Sequence, residues 1–429
     1  WGAAALVAIA PLPFGSVRPL PAAGLQVAVL ALALGWMAVR RRAGLSPLPW
    51  RDPILIAGAL LAGYGLLQMA PLPFGVLERL SPAAASLKAG FAPDALAWTS
   101  ISLDPYATWR SCLWIVCWTL AALVVRHNAV DLKGRLVVAG GVAAGGLFQA
   151  GYGLFEFISG RQHIFGYEKE WFTDVATGTF ISRNNYAAYL EMAIPIALTM
   201  ALLALGSAAR APAGRPEPLK RRLAGATGRQ SFRSLLLLMA AFLMAIALLM
   251  SRSRMGIAAI AFALVVGGLM VGLHGRSRRF AVVSVSVAGV AGLFASQIDI
   301  RPIVQRFDAL HGELEGSGYG RRHVWTQAMP MLASYPLFGS GMGTWEDAFS
   351  PFRDDAAQVR VDFAHNDYLE FLAETGAAGL AVLAIVPVTF LLRRRRGSAR
   401  FDPLDEIGLG ASVGLMALGR KPEVAGGVI

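Results

Sequence analysis

The chain has 429 residues, of which 55% are hydrophobic and only 15% charged, and its net charge is +12. A soluble globule of this size cannot hide so much apolar surface, because its exterior must still be solvated. An ordinary cytosolic enzyme, a disordered tail and a secreted disulfide scaffold are therefore excluded, and an integral membrane protein is indicated.

A bilayer crossing needs about 20 apolar residues. In chain order, the candidates are 1–14 (short), 22–39, 53–71, 107–125, 136–158, 184–207, 234–250, 257–273, 280–297, 367–392 and, more weakly, 404–419. All are read as helices, because only a helix satisfies its own backbone in lipid and because continuous apolar runs are not the alternating pattern of a β-barrel. The fold class expected is all-α, a polytopic membrane protein of about 11–12 transmembrane helices with a large loop on one side. Cys112 and Cys117 lie five residues apart in one apolar run and do not face each other, so no disulfide and no metal site is expected of them. The native start is expected upstream of Trp1.

Alternate loops differ sharply in charge. One set, containing Arg40–Arg42, Arg126 to Arg135, the linker 208–233, Arg276 to Arg279 and Arg393–Arg396, holds 22 basic residues against four acids. The other set holds 14 against 15. The positive-inside rule assigns the first set to the cytoplasm. Most of the net charge is thus a topology signal, and nucleic acid is rejected as a partner. The segments read as 1–158, N-terminal spans; 159–183, an outward loop; 184–297, central spans with the basic linker 208–233; 298–366, a large outward loop; and 367–429, a C-terminal membrane region. The outward loop 298–366 is expected to carry an amphipathic helix near Arg322–Tyr335, followed by the turn-rich Pro336-Leu-Phe-Gly-Ser-Gly-Met-Gly343.

Several outward residues run against the charge rule. Ser251-Arg-Ser-Arg-Met-Gly256 places Arg252 and Arg254 in a short connection where arginines are disfavoured. A guanidinium fork matches phosphate oxygens and stays charged, although snorkelling to headgroups is the plain alternative. Arg183 and Asn184 begin another span. Glu191 lies two turns deeper, on the face of Asn184, as either a site residue or a structural partner of the arginines. His365-Asn-Asp-Tyr-Leu-Glu370 opens the last long span. A helix start favours the neutral imidazole, hence a base, though a single histidine there is commonly a cap. There is no Walker loop, dinucleotide fingerprint or zinc-protease motif.

Taken in order, Gly178-Thr-Phe-Ile-Ser-Arg-Asn-Asn-Tyr-Ala-Ala-Tyr-Leu190, Ser251-Arg-Ser-Arg254, Gly320-Arg-Arg-His-Val-Trp325, Pro336-Leu-Phe-Gly-Ser-Gly341 and Ala364-His-Asn-Asp-Tyr-Leu-Glu370 resemble the bacterial O-antigen ligase and polymerase superfamily, over roughly residues 175–380. That resemblance implies a GT-C-like enzyme of the bacterial inner membrane with its active site on the periplasmic side. The donor would be a glycan on undecaprenyl diphosphate. The acceptor would be lipid A-core in a ligase, a second glycan in a polymerase, or a protein in an O-oligosaccharyltransferase. No cofactor and no metal are implied; the partners would be these substrates and membrane lipids. By resemblance His365 is the catalytic histidine, and Arg254, Arg252, Arg321 and Arg322 are the diphosphate-binding candidates. Arg183, Asn184, Glu191, Asn366 and Tyr368 are supporting. A membrane transporter, with Glu191 and the arginines lining a pathway, is the alternative of another class.

Overall fold

The computed structural model describes residues 1–91, 97–208, 228–273, 321–353, 361–364, 366–385 and 388. The expected spans 280–297 and 404–419 lie outside the described residues. Thirteen helices are described: α1 (Gly2–Ile9), α2 (Pro19–Arg42), α3 (Pro53–Met69), α4 (Phe74–Leu80), α5 (Pro82–Phe91), α6 (Pro105–Asn128), α7 (Leu132–Ser159), α8 (Arg183–Ala208), α9 (Arg229–Met250), α10 (Arg254–Leu273), α11 (Arg321–Ser334), α12 (Trp345–Phe349) and α13 (Asp367–Leu383). The described strands are two residues each. β1 (Leu72–Pro73) pairs with β2 (Trp98–Thr99), and β3 (His163–Ile164) with β4 (Tyr167–Glu168), both antiparallel. The protein is therefore an all-α polytopic membrane protein. Among the described residues five helices are long and apolar enough to cross a bilayer: α2, α6, α7, and the stretches Arg183–Leu205 and Gln230–Met250.

The chain divides into two compact units, interleaved in sequence. The first takes Trp1–Ala28 and the described part of Val125–Ala309. Its core is the meeting of α7, α8 and α9, filled by Tyr186, Leu190, Ile194, Met244 and Leu248. In lipid there is no hydrophobic drive between apolar helices, so close approach through small residues supplies the packing. The glycines of α7 show this. A Cβ on Gly146 would lie 2.6 Å from both Ala193 Cβ and Met244 Sδ, and one on Gly153 would lie 2.6 Å from Tyr186 Oη. A polar knot complements the packing. Gln149 on α7 donates to Thr179 Oγ1 at 2.7 Å and accepts from Thr179 N–H at 2.9 Å; Thr179 Oγ1 in turn donates to the Pro11 carbonyl at 2.9 Å.

The second unit takes Val29–Val124 and the described part of Leu310–Phe401. Its core is built on Trp345 and Phe349, stacked at 5.1 Å, with Met331, Val324, Leu77 and Ala84. The amphipathic helix expected near Arg322–Tyr335 is α11, and Pro330 does not interrupt it. Cys112 and Cys117 are free and buried.

The expected span 367–392 differs from a plain helix. α13 breaks at Gly376, whose φ of +62° and ψ of −166° are open to glycine alone. The turn Pro336–Gly341 fills the break. Ser340 N–H and Gly341 N–H donate to the Ala373 and Glu374 carbonyls at 3.0 Å each, while Ala377 and Ala378 N–H donate to Pro336 and Leu337 at 2.9 and 3.1 Å. Gly339, at φ +71°, lies so close that a Cβ would overlap the Glu374 carbonyl. From α3, Gln68 donates to the Phe338 and Glu374 carbonyls at 2.7 and 2.9 Å and accepts from Met342 N–H at 3.1 Å. The glycine-rich motif is thus the part that satisfies the backbone of a broken helix, as bilayer physics demands.

Candidate functional site

In the first unit, the site residues gather where α8 and α10 both begin. Ser182 receives Asn184 N–H on its hydroxyl at 3.2 Å, and Ser253 receives Gly256 N–H at 3.4 Å, so a serine sits at each helix start. The two starts are tied together by the Ser253 hydroxyl, which donates to Asn184 Oδ1 at 3.0 Å. Arg183 and Arg254 are the first residues of the two helices. Two helix N-termini, each with partial positive charge, thus meet with two full positive charges beside them. The sequence pattern Ser-x-Ser builds the turn: Ser251 Oγ donates back to the Leu248 carbonyl at 2.6 Å and accepts from Ser253 N–H at 3.2 Å. Arg252 sits in the left-handed region at φ +50° between them.

The two arginines of this turn differ. Arg252 Nη1 donates to Asp174 Oδ2 at 3.1 Å. Beside that pair, Ala176 N–H donates to the Met250 carbonyl at 3.1 Å, so the 159–183 loop is fastened to the end of α9. Arg254 is partly buried at the start of α10. The Arg183 guanidinium lies over the Phe172 ring, 5.2 Å from its centroid. Glu191 reaches the same helix start: a Cβ on Gly256 would lie 2.8 Å from Glu191 Oε1 and 3.3 Å from Ser253 Oγ. Asn184, Ser253, Gly256 and Glu191 therefore form one cluster. Asp174 was not singled out from sequence, and Ser253 entered only as part of the motif Ser251-Arg-Ser-Arg254, with no role of its own. Ser253 could have been found as a helix cap, whereas an exposed aspartate in a loop carries no local signal.

The second unit holds the remaining motif residues. Arg321 and Arg322 open α11. Trp325 Nε1 donates to the Ala364 carbonyl at 2.8 Å, and Ala364 N–H donates to the buried Glu370 at 3.2 Å. Asn366 caps α13, accepting from Tyr368 and Leu369 N–H at 3.1 and 3.2 Å. Tyr368 itself is exposed. His365 lies outside the described residues. The residues on either side of it are each held by hydrogen bonds, which explains the spacing of Trp325, Ala364, Asn366 and Glu370 in this motif. Among the described residues no group of histidine, cysteine or carboxylate side chains is placed to hold a metal ion.

Residues 239–384 match the family model described as O-antigen ligase. No curated protein matches the chain. Four of the five motifs fall inside the matched segment; Gly178–Leu190 precedes it. Over residues 239–384 the chain is similar to the O-antigen ligase family, and the family its motifs resemble is the one supported by the match.

Proposed function

We propose that this protein transfers a glycan from a lipid diphosphate to an acceptor hydroxyl, on the periplasmic side of the bacterial inner membrane, in O-antigen ligation to lipid A-core. The family match supports glycosyl transfer of the ligase or polymerase type. The observation that carries the finer reading is the joining of the α8 and α10 starts through Asn184 and Ser253, with Arg183 and Arg254 at their first positions. Paired helix N-termini with arginines suit an anion of high charge, such as a diphosphate.

The chemistry follows from that assignment. The acceptor oxygen bonds to the anomeric carbon as the bond from that carbon to the phosphate oxygen breaks. The lipid diphosphate leaves with the electron pair. Arg254 is assigned to the developing charge on the leaving group, and Arg252, already paired with Asp174, to holding the turn. Arg321 and Arg322 are assigned to the diphosphate as well. His365 takes the acceptor proton as general base. Glu191, Asn184, Asn366 and Tyr368 support these groups. The donor is already activated, so no nucleotide is consumed.

Complementation tests the reading. The gene should restore capped lipopolysaccharide in a ligase-deficient strain. Arg254→Ala and His365→Ala should each lower transfer by about 100-fold or more, and Arg252→Ala by clearly less. Restoration of repeat-length ladders in a polymerase-deficient strain instead would make the acceptor a second glycan. Restoration of neither, or full activity in both variants, would overturn the proposal.

A further inference from the structure

Span α7 ends at Gly160, and the chain then turns back on the helix it has just left. Residues 162–169 form the β3–β4 hairpin, whose two-residue tip is Phe165-Gly166. Phe165 N–H donates to Tyr152 Oη at 2.7 Å, and the Phe165 and Tyr152 rings lie 5.5 Å apart. Tyr152 stands seven residues before the helix end at Ser159, so the tip packs about 10 Å below that end at ~1.5 Å per residue. Side chains of a helix lean toward its N-terminus, which carries the contact further in the same direction. A crossing of about 20 residues that starts after Arg135 reaches Phe155. The hairpin tip is therefore level with the apolar part of the span.

The surface around the tip matches that depth. Phe148 stacks on Tyr152 at 5.8 Å, and Phe148, Phe155, Ile158 and Phe165 are all solvent-open in the protein, Phe165 to 50%. This strip adjoins another exposed apolar residue of α7, Leu147. The hairpin is also held firmly at its base. Glu156 accepts His163 N–H at 2.6 Å, Lys169 Nζ donates to Gln162 Oε1 at 3.1 Å, and Glu156 and Lys169 are only 3% and 7% exposed. The hairpin thus covers the Glu156 carboxylate, which lies just past the end of that crossing. Phe165 holds φ at +55°, a conformation unfavourable for a bulky residue. Isolated two-stranded hairpins are marginal in water; this one keeps a strained aromatic at an open tip, beside an apolar strip.

We propose that the β3–β4 hairpin is a re-entrant anchor, with Phe165 seated among the acyl chains of the lipid leaflet beside α7. It ties the loop that leads to Asp174 and Arg183 to the bilayer itself. The test is a nitroxide label at Phe165→Cys in proteoliposomes of phosphatidylethanolamine and phosphatidylglycerol, with Cys112 and Cys117 replaced by alanine. Oxygen should relax this label several-fold more than a water-soluble nickel chelate, and the order should reverse for a label at Glu168→Cys on β4. Relaxation by the chelate equal to or above that by oxygen would place the tip in water and overturn the proposal. Relaxation by neither would mean that protein, such as a second copy, covers the strip, and would overturn it equally. The unsubstituted chain gives an independent check: a lipid with a photoreactive group on its acyl chain should label the peptide containing Phe165. Adducts confined to the spans would be fatal to it.

Discussion

Asn184 and Ser253 are joined by one hydrogen bond of 3.0 Å, 69 residues apart in sequence. Ser253→Ala removes that bond and the cap on Gly256 N–H together. The expected cost is about 1–2 kcal/mol, read as a lower unfolding midpoint in detergent. Gly256→Ala is the steric counterpart. Its methyl would lie 2.7 Å from Ala187 Cβ and 2.8 Å from Glu191 Oε1, on backbone that cannot easily retreat. A loss of about 1–3 kcal/mol is expected, again in the midpoint. Sequence alone singled out Arg183, Asn184, Arg252, Arg254 and Glu191, because charged and amide groups are conspicuous at the ends of apolar runs. It could not rank the two arginines of the turn. Asp174, the partner of Arg252, lies in a loop 78 residues away, and nothing local marks it as such.

At the scale of elements, α13 and the turn Pro336–Gly341 depend on each other. Gly376→Ala forces a side chain onto φ +62° and toward the Leu337 carbonyl carbon, 2.5 Å from the added methyl. Gln68→Leu removes a side-chain donor from the Phe338 and Glu374 carbonyls, of which Phe338 keeps Tyr64 Oη, and the acceptor of Met342 N–H. Each is expected to cost about 3 kcal/mol, and proteolysis should then cut near 336–343 faster than in the native chain. The hairpin makes a pH prediction. Burial lowers the Lys169 ammonium from its ordinary 10.5 to about 8, while Glu156 pulls the other way. The folded state therefore releases this proton before the unfolded chain does. The penalty is fully present below about pH 8 and gone above about 10.5, so this group makes stability rise with pH across that window. Lys169→Met should flatten that rise in midpoint measurements between pH 8 and 10.5. The turn was legible as glycine-rich, but its purpose was not. A continuous apolar run reads as a continuous helix, and the break at Gly376 exists only because another segment supplies its hydrogen bonds.

For the molecule as a whole, the charge asymmetry predicts topology. A reporter that is active only outside the cytoplasm should work when fused within 159–183 and fail within 208–233; the reverse result would invert every loop assignment. Composition and the spacing of apolar runs determined by themselves that the chain is helical, crosses the membrane many times and has a basic face. Those properties follow from transfer free energies and charge, which sum along the chain without reference to contacts. The order of short motifs was likewise enough to indicate the family. Which N-termini meet, that Arg252 pairs with Asp174, where α13 breaks and how β3–β4 folds back on α7 were decided only by tertiary structure. Each depends on a hydrogen bond or close approach between residues separated by a loop or more. In lipid, where apolar helices gain nothing by merely burying surface, such bonds and small-residue contacts select one packing from many.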